Sequence, residues 1–251
     1  MPMTRNASCR ALVLRTRASG ESNREAWLLC ERTGIVRVTV FGGPKSRLRA
    51  YASPFHSGRA WTYHDPVKDS RKLTDFDVDR WRPGIREMYE RAMAADAIAR
   101  VALASHGGGG NWGDALSLTE AALDAAEGAD EETCPRVVPW FLWRWADFLG
   151  LRPDLASCPL CGRPAAQGAP LWFSPREGGA VCAACKNAVD ARGGLVEIGP
   201  GARLWLETAL SLPHDRLASH AADGASLREA GALAKAALAD ALGGFSLRSN
   251  F

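Results

Sequence analysis

The residues with the most definite chemistry are four cysteines in two pairs, Cys158-Pro-Leu-Cys161 and Cys182-Ala-Ala-Cys185, with 20 residues between the pairs. Two thiolates three positions apart reach one ion from a tight knuckle turn. A second knuckle then closes a tetrahedron with Zn–S bonds of about 2.3 Å. Four sulfur ligands fill the coordination sphere, so the spacing predicts a structural zinc site at Cys158, Cys161, Cys182 and Cys185; a catalytic site would keep one position open. Gly162 suits the first knuckle, where a Cβ is expected to crowd the backbone. Trp172-Phe173 is expected to form a small core between the knuckles. A redox C-x-x-C needs a thioredoxin-like βαβ context that does not surround these pairs, and iron–sulfur motifs usually crowd their ligands differently. A zinc deaminase needs an H-x-E motif, and no His here is followed two positions later by Glu. Cys9, Cys30 and Cys134 are isolated, and Cys30 sits in an apolar run that reads as core.

The second feature is charge. The formal net charge of +3 averages unlike parts: residues 1–64 carry 11 Lys/Arg against 3 Glu, a net of +8, and residues 65–251 carry 20 against 25, a net of −5. Such asymmetry points to a polyanion-binding segment. Within it, Lys45-Ser-Arg47-Leu-Arg49 follows a strand on a Gly-Pro loop and alternates its cations, a spacing that can lay three charges along a phosphate backbone. Together with Arg15, Arg17, Arg24 and Arg37 these residues could line one groove. Local sequence leaves an ordinary solvated loop open as the other reading. No catalytic set emerges, so no enzyme is expected. The five histidines are scattered, and Gly43-Pro-Lys45-Ser46 lacks the Gly directly before Lys that a phosphate-binding loop requires.

The elements that must position these groups change character along the chain. Residues 11–17, 26–30 and 35–41 read as short strands, clearest where Val36, Val38 and Val40 share one face and Arg37 and Thr39 the other. Residues 59–63 and 71–75 are further candidates. Five short strands in a basic segment suit a small barrel of the oligonucleotide/oligosaccharide-binding (OB) type. From Pro83 the spacing turns helical as far as Ser105, and His106-Gly-Gly-Gly-Gly-Asn111 reads as a flexible connector. Helices are expected from an Asp114 cap to about Gly128, over about 137–149, from Pro200 to about Leu212, and from a Ser226/Glu229 capping box to about Leu242. Trp140, Trp143 and Trp145 lie in the most apolar helix and are expected in a core or an interface. The fold class is therefore α+β: an N-terminal OB-type barrel (residues 1–80), then a helical domain (81–251) with a four-cysteine insertion at 157–187.

The 251 residues are 47% hydrophobic and 24% charged, as in an ordinary globular protein. No apolar run reaches the roughly 18–20 residues of a membrane span. The first ten residues show no apolar signal region, which leaves a cytoplasmic location as the expectation.

Three stretches carry a resemblance. Leu14-Arg-Thr-Arg-Ala-Ser-Gly-Glu-Ser22, Gly34-Ile-Val-Arg-Val38 and Gly43-Pro-Lys-Ser-Arg-Leu-Arg49 resemble the start of the bacterial recombination-mediator family RecO. Residues 141–162, which lead into the first knuckle, and 173–185, which hold the second, look like the same family in order and spacing. The resemblance implies an OB domain, a helical body with an inserted zinc knuckle, and no catalytic residues. It implies binding of single- and double-stranded DNA, strand annealing, and partnership with RecR and with the acidic tail of single-strand-binding protein so that RecA can load. It also implies a location at the nucleoid. Gly42-Gly43-Pro44 departs from the more cationic loop common in the family, which predicts weaker DNA binding or cations placed elsewhere. A zinc-containing protein scaffold with no direct DNA role is the alternative.

Overall fold

Alternation is what makes the first unit a barrel. In β3 (Gly34–Val40), Val36, Val38 and Val40 are buried while Arg37 is exposed, because successive side chains of a strand point to opposite faces. β1 (Asn6–Ser19), β2 (Asn23–Cys30), β4 (Ser57–Asp65) and β5 (Ser70–Arg80) supply the other staves. The computed structural model describes residues 5–166, 168–189, 194–239 and 241–242.

The strands close in the order β1-β2-β3-β5-β4, the five-stranded Greek-key arrangement of an OB-fold. β1 is long because it serves both neighbours: Ala11–Ser19 pairs with β2, and Asn6–Leu12 pairs with β4. The join of β3 to β5 is parallel, with Thr39 opposite Lys72. Ala11, Val13, Ala26, Leu28, Cys30, Val38, Ala60 and Phe76 fill the interior, each at most 1% exposed. The expected strands are all present; four are longer than expected, since pairing extends them beyond the residues that face the core, and β3 keeps its length but starts and ends one residue earlier.

One glycine is fixed by close approach. On β4, a Cβ at Gly58 would lie 2.0 Å from the backbone oxygen of Asp77 on β5, next to an irregularity in the register. Backbone cannot yield as a side-chain tip can, so Gly58→Ala is expected to lower stability by about 2–3 kcal/mol. A denaturant midpoint equal to wild type would contradict this.

The chain divides into two compact units, Met1–Gly128 and Ala129–Phe251. In the first, α1 (Arg47–Tyr51) packs on β5, and a 3-10 turn at Pro83–Arg86 precedes α2 (Tyr89–Ala104) and α3 (Trp112–Gly128). α2 and α3 pack on each other and against β1. The helix expected from Pro83 thus starts in earnest at Tyr89, and Asp114 lies within the first turn of α3 instead of capping it. The connector His106–Asn111 is seated on the barrel wall: Gly107 is buried, and a Cβ there would meet Leu29 at 2.9 Å and Ile35 at 3.2 Å. The flexible connector expected from composition is a packed one.

In the second unit, α4 (Cys134–Phe148) buries Trp140, Phe141, Leu142, Trp143 and Trp145 to within 1% of full burial, so the tryptophans are core. α6 (Gly224–Leu238) packs against α4 and α5 (Pro200–Ala209). The cap of α6 is Asp223, whose carboxylate accepts from the amides of Ala225 and Ser226 at 2.9 Å. The expected Ser226/Glu229 box is corrected accordingly. Ser226 is one turn inside, and Glu229 accepts instead from the Gly199 amide at 2.7 Å, tying α6 to the start of α5. β6 (Leu171–Ser174), β7 (Gly179–Val181) and β8 (Val196–Ile198) form a small sheet in the order β7-β6-β8. Among the described residues, no helix is long and apolar enough to cross a membrane.

Candidate metal centre and nucleic-acid interface

Each knuckle is a turn closed by its own backbone. Gly162 donates to the Cys158 carbonyl at 2.9 Å, and Cys185 and Lys186 both donate to the Cys182 carbonyl at 3.0 Å. Gly162 has φ +68 with open space around its Cβ position, so the left-handed turn selects glycine there; the expected crowding does not arise. The sheet brings the knuckles together, because β7 ends at Val181 directly before Cys182 and pairs with β6 at Trp172. Cys158, Trp172, Val181 and Val189 are the buried residues of a local core, as expected of Trp172. The Lys186 ammonium lies 4.1 Å from the Trp172 ring centroid and covers that core.

The four sulfurs lie within 4.8 Å of one another, with Cys161 and Cys182 at 3.8 Å. A tetrahedron with 2.3 Å metal–sulfur bonds has edges of about 3.8 Å, so the donor set fits one tetrahedral, thiophilic ion. Burial works against ionisation of Cys158. Amides of Cys182, Cys161 and Leu160 donate to its sulfur and nonetheless bring the thiol down to about 6. Cys185 is held in the opposite sense: the Cys161 sulfur first, then burial and the Cys182 and Cys158 sulfurs, push it up to about 12. Thiols that cannot all ionise side by side form a set that a cation completes. The four cysteines are a candidate metal site.

The basic residues are sorted by register. Arg15 stands opposite Trp27, and Trp27 opposite Arg37, across β1, β2 and β3. One step along, Arg17, Glu25, Thr39 and Lys72 form a second row that reaches β5. The guanidiniums of Arg15 and Arg17 lie 5.7 and 5.6 Å from the Trp27 ring centroid. Glu25 pairs with Arg17 and faces Arg37 at 3.8 Å, so one acid orients two of the cations. The Lys72 ammonium lies 5.3 Å from the Phe41 ring and 6.0 Å from that of Tyr63. The result is an exposed band of cations interleaved with aromatic rings.

The other expected residues are placed differently. Arg24 falls in the inward register of β2, two residues before Ala26, and sits half-buried at the rim, apart from the band. The loop expected at Lys45–Arg49 is instead a short helix, capped by Ser46, whose hydroxyl accepts from the Arg49 amide at 3.4 Å. Alternate residues of a helix diverge by about 200°, so Lys45, Arg47 and Arg49 do not make one row. Arg49 donates to the Ser22 carbonyl at 3.3 Å, Arg47 lies 4.8 Å from the Tyr51 ring centroid, and Lys45 is exposed in the preceding turn. Trp27, Phe41, Tyr63 and Lys72 were missed from sequence. Strand parity marks Trp27 as outward-facing, but its juxtaposition with Arg15 and Arg37 needs the pairing register.

Two family models match the chain: Recombination protein O N terminal over residues 3–78, and Recombination protein O C terminal over residues 86–251. The chain belongs to the recombination protein O family. Similar proteins include those named DNA repair protein RecO from Desulfitobacterium hafniense (32% identical, covering 70% of this chain and 63% of that protein) and from Desulforudis audaxviator (29%, covering 87% and 85%). A third, of the same name, comes from a Nocardioides species (28%, covering 70% and 72%). The match to the Desulfitobacterium protein thus spans less than two thirds of its length. The N-terminal model covers most of the barrel, and the C-terminal model spans the segment with the four cysteines.

Proposed function

We propose that this chain is a DNA repair and recombination mediator that binds DNA through the cationic-aromatic band of its barrel. The observation that carries the reading is the cross-strand row Arg15–Trp27–Arg37 beside Arg17 and Lys72: cations next to rings on which bases can stack. A closed barrel fixes that row rigidly, and nothing in it selects a sequence. Both single- and double-stranded DNA are expected ligands, and a protein that holds strands by their backbones can bring complements together. In this reading the barrel, residues 1–80, is the DNA-binding domain, and residues 81–251 form the helical domain with the zinc insertion at 157–187. The four cysteines hold one structural zinc, which supplies a cross-link and no reaction step. The same reading includes loading of RecA onto strands coated by single-strand-binding protein, with RecR and the acidic tail of that protein as partners. In this reading the protein works in the cytoplasm, at the nucleoid.

The test is a salt titration of binding to a fluorescent single strand. Counterion release makes log K fall linearly with log salt, with a slope of about −0.7 per phosphate neutralised. Replacing Arg37 and Lys72 together by Ala is expected to reduce the slope by about 1.4. Replacing Lys45, Arg47 and Arg49 is expected to weaken binding less than this pair does. Binding that is flat with salt, or no binding at all, overturns the reading and favours a protein scaffold without a DNA role.

A further inference from the structure

A cavity of about 550 Å³ opens at one edge of the cationic band, where the seated α2–α3 connector meets the barrel wall. That volume falls within the roughly 300–1,000 Å³ typical of small-molecule pockets. Ile35 lines it from β3, Arg15 and Trp27 from β1 and β2, and Leu103, His106 and Trp112 from the helical side. No carboxylate lines it, and Thr33 and Gly34 complete the lining.

The position of the helical side is set by two glycines. Gly107 lets the connector sit directly on Leu29 and Ile35, and Gly34 lets Trp112 lie against the barrel backbone, since a Cβ there would come within 2.7 Å of the indole Nε1. His106 itself holds φ +51, a left-handed conformation that a non-glycine residue adopts only at a cost, and Gly107 to Gly110 all follow with positive φ. The chain is bent around the cavity instead of filling it.

We propose that this cavity is a nucleobase pocket, in which one base of a bound single strand is received by Trp27 and Trp112 while its neighbouring phosphates lie on Arg17 and Arg37. The inference rests on the DNA-binding reading and adds to it a definite seat for a base. Arg15 and Trp27 belong both to the band and to the pocket, so a strand following the band passes the mouth. Indole faces stack on any base, and the polar side-chain groups of the lining residues are few: a guanidinium, an imidazole, the indole N–H donors and the threonine. Recognition is therefore tolerant of base identity.

The test compares a 20-nucleotide thymidine strand with an abasic strand of equal length and charge, using the full chain. Wild-type protein is expected to bind the thymidine strand about tenfold more tightly. Trp112→Ala is expected to shrink that preference to about twofold while leaving affinity for the abasic strand unchanged, and Trp112→Phe to keep most of it. Leu103→Trp fills the cavity from the helical side without deleting a ring and is expected to remove the preference as well. A preference that survives both Trp112→Ala and Leu103→Trp overturns the pocket while leaving DNA binding intact, as does an equal loss on both strands. Wild-type protein that binds neither strand overturns the DNA reading and the pocket with it.

Discussion

Removing metal with a zinc chelator is expected to unfold residues 157–189 while the barrel stays folded. The segment has little else to hold it. Its strands β6 and β7 are four and three residues long, the core around the cysteines comprises Cys158, Trp172, Val181 and Val189, and the opposite face is held by Leu171, Phe173 and Ala180 with the pairing of β6 to β8. A core of that size falls below what chains of fewer than about 40 residues need to fold without a cross-link. In such modules the metal-binding free energy, about 10–16 kcal/mol for zinc in finger peptides, is the folding free energy. Hydrogen exchange followed by mass spectrometry should show protection at 171–189 collapsing on chelation, and in Cys158→Ser without chelator, with protection at 11–40 unchanged. Full protection of 171–189 in protein shown by elemental analysis to be metal-free would refute the assignment.

Arg82→Met is expected to lower the stability of the first unit by about 3 kcal/mol. Arg82 is a guanidinium with a side chain 1% exposed, and it serves three acceptors: Asp124 Oδ1 at 2.7 Å, the Phe55 carbonyl at 2.7 Å and Ser57 Oγ at 3.0 Å. Arg80 still reaches the other Asp124 oxygen at 3.0 Å after the change, so the carboxylate is not stranded. The cost falls on the Phe55 carbonyl and the Ser57 hydroxyl, which lose a charged donor in a site with little water. Phe55 and Arg82 both have positive φ, +74 and +46, and the guanidinium bridges them. Arg82→Lys should recover little, because an ammonium cannot span acceptors set around a planar fork. A shift in free energy of unfolding below about 1 kcal/mol would contradict this account.

What the sequence disclosed depended on how local each signal was. The candidate metal site was legible because its four cysteines come as two turns, each specified by four consecutive residues, and a four-thiolate site requires the turns to meet. β3 was legible because Val36, Val38 and Val40 repeat the strand period. The band was legible only in part. Arg15, Arg17 and Arg37 were expected to share one groove, and they do share a face of the barrel, but their alignment with Trp27 and Lys72 is a matter of inter-strand register, which no single segment encodes. Arg24 was misplaced although its parity with Ala26 and Leu28 was readable. α1 was missed because Gly-Pro-Lys-Ser reads as a turn, and its five residues are too few to show helical periodicity. The start of α6 moved by a turn because Asp223 and Ser226 both suit a cap, and packing of Leu227 and Ala230 decided between them.

The way β1 serves two neighbours also sets an order of events during synthesis. Its pairing with β2 is available as soon as residue 30 has emerged, and β3 can add by residue 40. The outer edges of that meander, on β1 and on β3, stay unpaired until β4 and β5 arrive between residues 57 and 80. Closure joins residues about 50 apart and must overcome the corresponding chain entropy before it is rewarded. The nascent chain therefore presents two open edges for the time it takes to make some 40 residues, and Arg10 on β1 and Arg37 on β3 supply the charge that discourages pairing with another chain in that interval.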